Sequence, residues 1–196
     1  MVLADLNRYY DQLVEHLDKN QLFSISNSDR AHNSTVMRFM FDECPDINMF
    51  CGEMSVFRSN FYNHINNLNN NDLGTQLKEQ LAKSIRDFMS SPDRKLRIII
   101  ANYERRLFSD LISEQAFKDG LTKGNVEFYS LDGRYILKDS LKHCTYSNIG
   151  VVRLEEDQES HKGICSIHIG DELREMLQFN FNTMLKASER ILYPFN

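Results

Sequence analysis

Proline and glycine are scarce in this chain, at three and eight among 196 residues, and tryptophan is absent. With a charged fraction close to that of an average soluble protein, this argues against both a disordered and a fibrous class. No apolar run approaches the ~20 residues needed to span a bilayer. Asp5, Asn7 and Arg8 interrupt the N-terminus, which therefore lacks the apolar core of a signal peptide. Excess positive charge is also missing: the net charge of −5 argues against a broad, nonspecific nucleic-acid surface. The densest basic neighbourhood, Arg94, Lys95, Arg97, Arg105 and Arg106, reads first as a solvated face. Cys44, Cys51, Cys144 and Cys165 form no CxxC pair, and His16, His32, His64 and His161 have no neighbour at metal-ligand spacing. The segment 120–124 lacks the Gly-Lys-Ser/Thr ending of a phosphate-binding loop and precedes a strand. The expectation is a cytoplasmic protein with no membrane partner, no metal and no cofactor.

What is present suffices for one substantial core. Leu3, Leu6, Tyr10, Leu13 and Leu17 recur at helical spacing, and a second helix is predicted after Asp29 with Val36, Met37, Met40 and Phe41 on one face, ending before Pro45. Residues 1–45 thus read as an N-terminal helical extension, with a short strand at 22–25. The strand-like run 47–51 breaks at Gly52 and leads into a helix carrying Phe57, Phe61, Ile65 and Leu68; a further helix bears Leu73, Leu77, Leu81, Ile85 and Phe88. The β-branched run 96–100 predicts a central strand buried on both faces. A helix over 103–118, capped by Gly120, and a strand at 126–129 follow. Strand and helix alternate as in an α/β sheet with right-handed crossovers. Short strands are then expected at 134–137, 142–146, 149–154 and 163–169, before a last helix at 171–187. Residues 46–196 therefore read as one α/β domain, a mixed sheet flanked by helices.

The segment 142–171 holds the side chains best suited to chemistry. His143 opens a strand with Cys144 and Thr145, Arg153 and Glu155 alternate on the next, and Cys165-Ser166-Ile167-His168 forms a third. Plain structural readings stand beside each. His143 fits a sheet edge, Ser166 and His168 fit the polar face of a half-buried strand, and Arg153 with Glu155 fit an ion pair across strands. The turn 52–55 opens a helix with Arg58 one turn in, an arrangement able to hold an anion, although Glu53 opposes it.

In element order and in these residues, roughly from 46 to 187, the chain resembles one half of the phospholipase D-like superfamily. That family carries His-x-Lys with an Asp five residues after the Lys, then Gly-Ser-x-Asn on a second strand, then a helix. His143 and Ser166 match; Thr145 stands at the lysine, Gly150 at the aspartate and His168 at the asparagine. The resemblance implies His143 as a phosphorus-attacking nucleophile, with Ser166 and His168 in supporting roles and Thr145, Arg153 and Glu155 lining the ligand site. It also implies pairing of two chains, because active members need two motifs facing one another. A threonine supplies no charge, and losing one oxyanion-stabilising donor costs on the order of 3–4 kcal/mol of barrier. The expected function is therefore a catalytically degenerate binding or regulatory module for a phosphate-bearing ligand or a protein partner. The alternative is a homodimeric phosphodiesterase or nuclease using His143, for which a toxin or phage-defence role is compatible by analogy.

Overall fold

A computed structural model describes residues 2–27, 29–69, 72–101, 103–132, 143–157 and 162–195. The N-terminal periodicity becomes α1 (Leu3–Asp18), which buries Leu6, Tyr9 and Leu13. It is followed by β1 (Phe23–Asn27) and α2 (Arg30–Glu43). Asp29 caps α2 by accepting the His32 N–H at 3.0 Å. The run around Met49 is β2 (Asp46–Cys51), followed by a 3₁₀ turn (Ser55–Phe57), α3 (Ser59–Asn69) and α4 (Leu73–Ser90). Then come β3 (Lys95–Ile100), α5 (Glu114–Lys123) and β4 (Val126–Leu131). The described chain resumes at 143 with β5 (Cys144–Ser147), β6 (Val151–Asp157), β7 (Lys162–Ile167), α6 (Asp171–Lys186) and β8 (Ser188–Arg190).

These strands form one eight-stranded mixed sheet in the order β1-β7-β6-β5-β2-β3-β4-β8. β2, β3 and β4 are parallel; β5, β6, β7 and β1 extend the sheet antiparallel from β2, and β8 closes the other edge. Leu96, Ile98, Ile99 and Ile100 are all buried, as the β-branched run requires when both faces of a strand are covered. One face carries the larger core, where residues of α1 to α5 pack on Ile98, Ile100 and Met49. The other packs Phe50, Ile99, Tyr146 and Val152 against Leu177, Phe181 and Met184 of α6. β1 and α2 precede residue 46 and are built into this same sheet and core.

Three elements differ from the sequence reading. The helix expected over 103–118 is instead a 3₁₀ turn at Arg105–Phe108 followed by α5. Asp110 and Ser113 adopt positive φ, and backbone bonds from Ser59 N–H to the Asp110 carbonyl and from Ile112 N–H to the Phe57 carbonyl hold the segment against the turn after β2. The helix ends at Gly124 in the left-handed region, not at Gly120, which lies inside it under Val126 and Met89. β8 has no counterpart in the sequence reading. The strand expected at 134–137 lies outside the described residues.

The basic neighbourhood is largely structural. Arg94 donates to the carbonyls of Phe41 and Asp42 at 2.6 and 2.9 Å, closing the C-terminus of α2. Arg97 lies over the Phe181 ring, and Arg106 pairs with Glu104.

Candidate functional site

The site lies where the chain changes direction in the sheet. β2 runs parallel to β3 on one side and antiparallel to β5 on the other, and a cleft of about 570 Å³ opens beside its carboxyl end. Crevices outside the carboxyl ends of parallel strands are favoured ligand sites, because loops and helix ends converge there around a rigid sheet. The strand wall of the cleft carries Met49, His143, Thr145, Arg153 and Glu155; the helical wall carries Arg30, Asn33, Arg58 and His64.

Alternation along antiparallel strands brings the strand-borne groups together. Thr145 lies opposite Arg153 on β6 and opposite Met49 on β2, so all three project from the face covered by α2. The Glu155 N–H donates to the His143 carbonyl at 2.9 Å, placing those two residues on the same face, one step further along. His143 Nδ1 lies 2.6 Å from Glu155 Oε2, and Arg153 Nη2 lies 3.4 Å from Glu155 Oε1. One carboxylate is thus shared by an imidazole and a guanidinium. The carboxylate and guanidinium side chains are 7% and 6% exposed, while the His143 side chain is 20% exposed and sits edge-on to the Phe50 ring at 5.9 Å.

This arrangement decides what each group can do. A carboxylate at Nδ1 fixes the tautomer with the proton on that nitrogen, which makes Nε2 the basic one. Burial lowers the pKa of Arg153 and Glu155 opposes that shift, so Arg153 stays a cation whose charge is balanced locally. Thr145 is 4% exposed and adds a hydroxyl, not a charge. Burial pushes the Cys51 thiol up to about 12 and the Cys144 thiol to about 11, so neither cleft cysteine is a thiolate nucleophile at neutral pH.

His143, Thr145, Arg153 and Glu155 therefore line one cleft, whereas Ser166 and His168 stand apart from it. Ser166 is three residues beyond Gly163, the partner of Glu155, a distance of about 10 Å at strand rise. It pairs with Val152 on the α6 side of the sheet, and its hydroxyl meets that of Ser24 on β1 at 2.8 Å. His168, at φ 54°, donates from Nε2 to the Leu17 carbonyl at 2.9 Å, tying the end of β7 to the C-terminus of α1. Gly150, which the sequence resemblance sets against the family aspartate, turns β5 into β6 with φ 88°, a conformation that favours glycine. Lys142, which its place next to His143 in the sequence offers beside Arg153 as a cation for the site, lies outside the described residues. Arg30 and Asn33 carried no sequence signal, because the register that brings α2 over β5 is tertiary. Arg58 was marked only by the turn at 52–55. Among the described residues no group of His, Cys, Asp and Glu could hold a metal ion.

No family model matches the chain, and no curated protein matches it in sequence. Solved structures match its fold. Nuc from Salmonella typhimurium, a phospholipase D family member, aligns with a TM-score of 0.51 at 8% identity, over 87% of this chain and 99% of its own. Phosphatidylserine synthase of Haemophilus influenzae Rd KW20 aligns with a TM-score of 0.53 at 8% identity, over 88% of this chain and 40% of its own. TrmBL2, an archaeal chromatin protein described as having a novel mode of DNA binding, gives 0.51 at 13% identity, over 96% of this chain and 64% of its own. The protein has a phospholipase D-like α/β fold, and no described helix is long and apolar enough to cross a membrane.

Proposed function

We propose that this protein is a phospholipase D-like module that binds a phosphate-bearing ligand in the cleft beside His143 without turning it over. The observation that carries the reading is the charge balance on the strand wall: Arg153 is held by Glu155, and Thr145 contributes no cation in a lysine's place. Phosphoryl transfer needs positive charge that strengthens its hold as the transition state forms, and a guanidinium already neutralised by a buried carboxylate answers that need poorly. Binding a ground-state phosphate asks less. The likeness to Nuc and to a DNA-binding chromatin protein supports a phosphodiester or nucleic-acid partner, and pairing of two chains would join two such clefts.

A second reading is favoured by the His143–Glu155 contact. With Nδ1–H held by a carboxylate, Nε2 has the lone pair a nucleophile needs. In a homodimer one His143 would attack phosphorus, and the partner's His143 would protonate the departing oxygen; water would then release the phosphohistidine.

The test compares wild type with His143→Ala on bis(p-nitrophenyl) phosphate and on single-stranded DNA and RNA. Binding without turnover, weakened at least tenfold in the variant, supports the first reading. Turnover that the variant abolishes establishes the second and removes the first.

A further inference from the structure

The helical wall of the cleft holds polar groups that the strand wall does not use. Arg30 opens α2, Arg58 lies just ahead of α3, and both line the cleft. Among the described residues the arginines in ion pairs with carboxylates are Arg38, Arg106, Arg153, Arg174 and Arg190; neither Arg30 nor Arg58 is among them. The Arg30 guanidinium sits 5.3 Å over the ring of Phe61 in the first turn of α3, the helix that Arg58 immediately precedes. Burial lowers the Arg30 pKa, as expected for a cation drawn partly out of water.

Two atoms on this wall are unsatisfied. Arg58 Nε is sealed from solvent and has no hydrogen-bond acceptor among the described residues. Asn33 is 5% exposed, lines the same cleft, and its Oδ1 likewise lacks a partner. Its amide offers either an acceptor or a donor by a half turn. A buried polar atom left unpaired costs about 1–3 kcal/mol, more when charged, and a ligand that pairs it recovers that cost. Guanidinium groups favour phosphate because their fork of N–H donors matches its oxygens. Glu53 also lines the cleft, but among the described residues it forms no ion pair with either arginine.

We propose that Arg30, Asn33 and Arg58 form a second phosphate subsite, so that the ligand carries two phosphate groups, one at His143 and one on the helical wall. This rests on the reading of the cleft as a phosphate-binding site. The cleft volume is that of a small-molecule site. The chemistry it fits is a nucleoside flanked by two phosphates, either as a free nucleotide or as a stretch of single strand.

Calorimetric titration of adenosine 3′,5′-bisphosphate and adenosine 5′-monophosphate into the full chain tests the proposal. The bisphosphate is expected to bind at least tenfold more tightly than the monophosphate. Arg58→Gln is expected to erase that preference, and Arg30→Gln repeats the test should Arg58→Gln melt early. Equal wild-type affinities, or a preference that survives both substitutions, overturn the second subsite and leave the His143 site standing. Failure of both nucleotides to bind overturns both. A thymidine tetranucleotide run alongside separates the sources: tighter binding than the bisphosphate identifies a strand, weaker binding a free nucleotide.

Discussion

Replacing Glu155 by glutamine probes the shared carboxylate directly. The substitution keeps shape and removes one charge from between His143 Nδ1 at 2.6 Å and Arg153 Nη2 at 3.4 Å. Arg153 is 5% exposed, so water can do little to replace the lost anion. Removing one partner of a buried ion pair costs about 3–5 kcal/mol. The lower end applies, because the amide still accepts a hydrogen bond and the His143 half of the arrangement is partly solvated. In a chain of this size each kcal/mol moves the melting temperature by about 2–4 °C, so Glu155→Gln should lower it by about 6–12 °C. Substituting both residues, as Arg153→Met with Glu155→Leu, removes the charges together. Buried pairs replaced by apolar groups are often near neutral in stability. The double variant should therefore be more stable than the sum of the single losses predicts, by about 1–3 kcal/mol. Urea unfolding of wild type, Arg153→Met, Glu155→Leu and the double variant measures the coupling. A Glu155→Gln protein within about 0.5 kcal/mol of wild type, or additive losses, would refute the shared-carboxylate account.

Three further substitutions test the scaffold that holds the site. Burial pushes the Asp29 carboxyl up, but hydrogen bonds from the His32 ring and backbone outweigh it and hold the group below its ordinary 3.8. A depressed folded pKa contributes stability above the unfolded pKa that is lost as pH falls through the folded one. Asp29→Ala should therefore cost about 1 kcal/mol at pH 7, with the gap to wild type shrinking below about pH 4; a gap unchanged at pH 3 contradicts the cap. At Gly74 a Cβ would lie 2.1 Å from the Tyr62 carbonyl oxygen and 2.8 Å from Asn66 Oδ1. The backbone oxygen has little room to yield, so Gly74→Ala should destabilise by about 1–3 kcal/mol despite the better helix propensity of alanine. Gly120→Ala, which meets only the Val126 and Met89 side chains, should cost less. Thermal melts in which Gly74→Ala matches or exceeds wild type would contradict the close approach of α3 and α4.

What the sequence discloses here is what depends on neighbours along the chain. The β-branched run at 96–100, the capped start of α2 and the amphipathic α4 each show their burial pattern within a few residues. β8 does not, since Ser188, Glu189 and Arg190 become a strand only because Leu131, Ser130 and Tyr129 offer an open edge. The break before α5 is likewise tertiary: positive φ at Asp110 and Ser113 is held by bonds to the distant segment around Phe57. Ser166 illustrates the limit for site residues. It satisfies a motif by spacing, yet strand alternation aims it at the α6 face while His143 belongs to the face under α2.

Thr145 is the position where local and long-range information meet. The family resemblance places a lysine at this position, and nothing adjacent in sequence accounts for the threonine found there. In the sheet its cross-strand neighbour is Arg153, and residues paired in this way have Cβ atoms about 4.5–5.5 Å apart. A lysine there would place two cations side by side in a site where both side chains are almost wholly buried, with Glu155 as the nearby carboxylate already engaged by Arg153 and His143. Like charges so placed repel strongly when desolvated. The threonine is thus a residue that the Arg153–Glu155 pair permits, and the cation beside His143 stands on the neighbouring strand. The Arg153 charge is balanced against a fixed carboxylate, and under the proposed function that balance suits the cleft to holding a phosphate rather than cutting one.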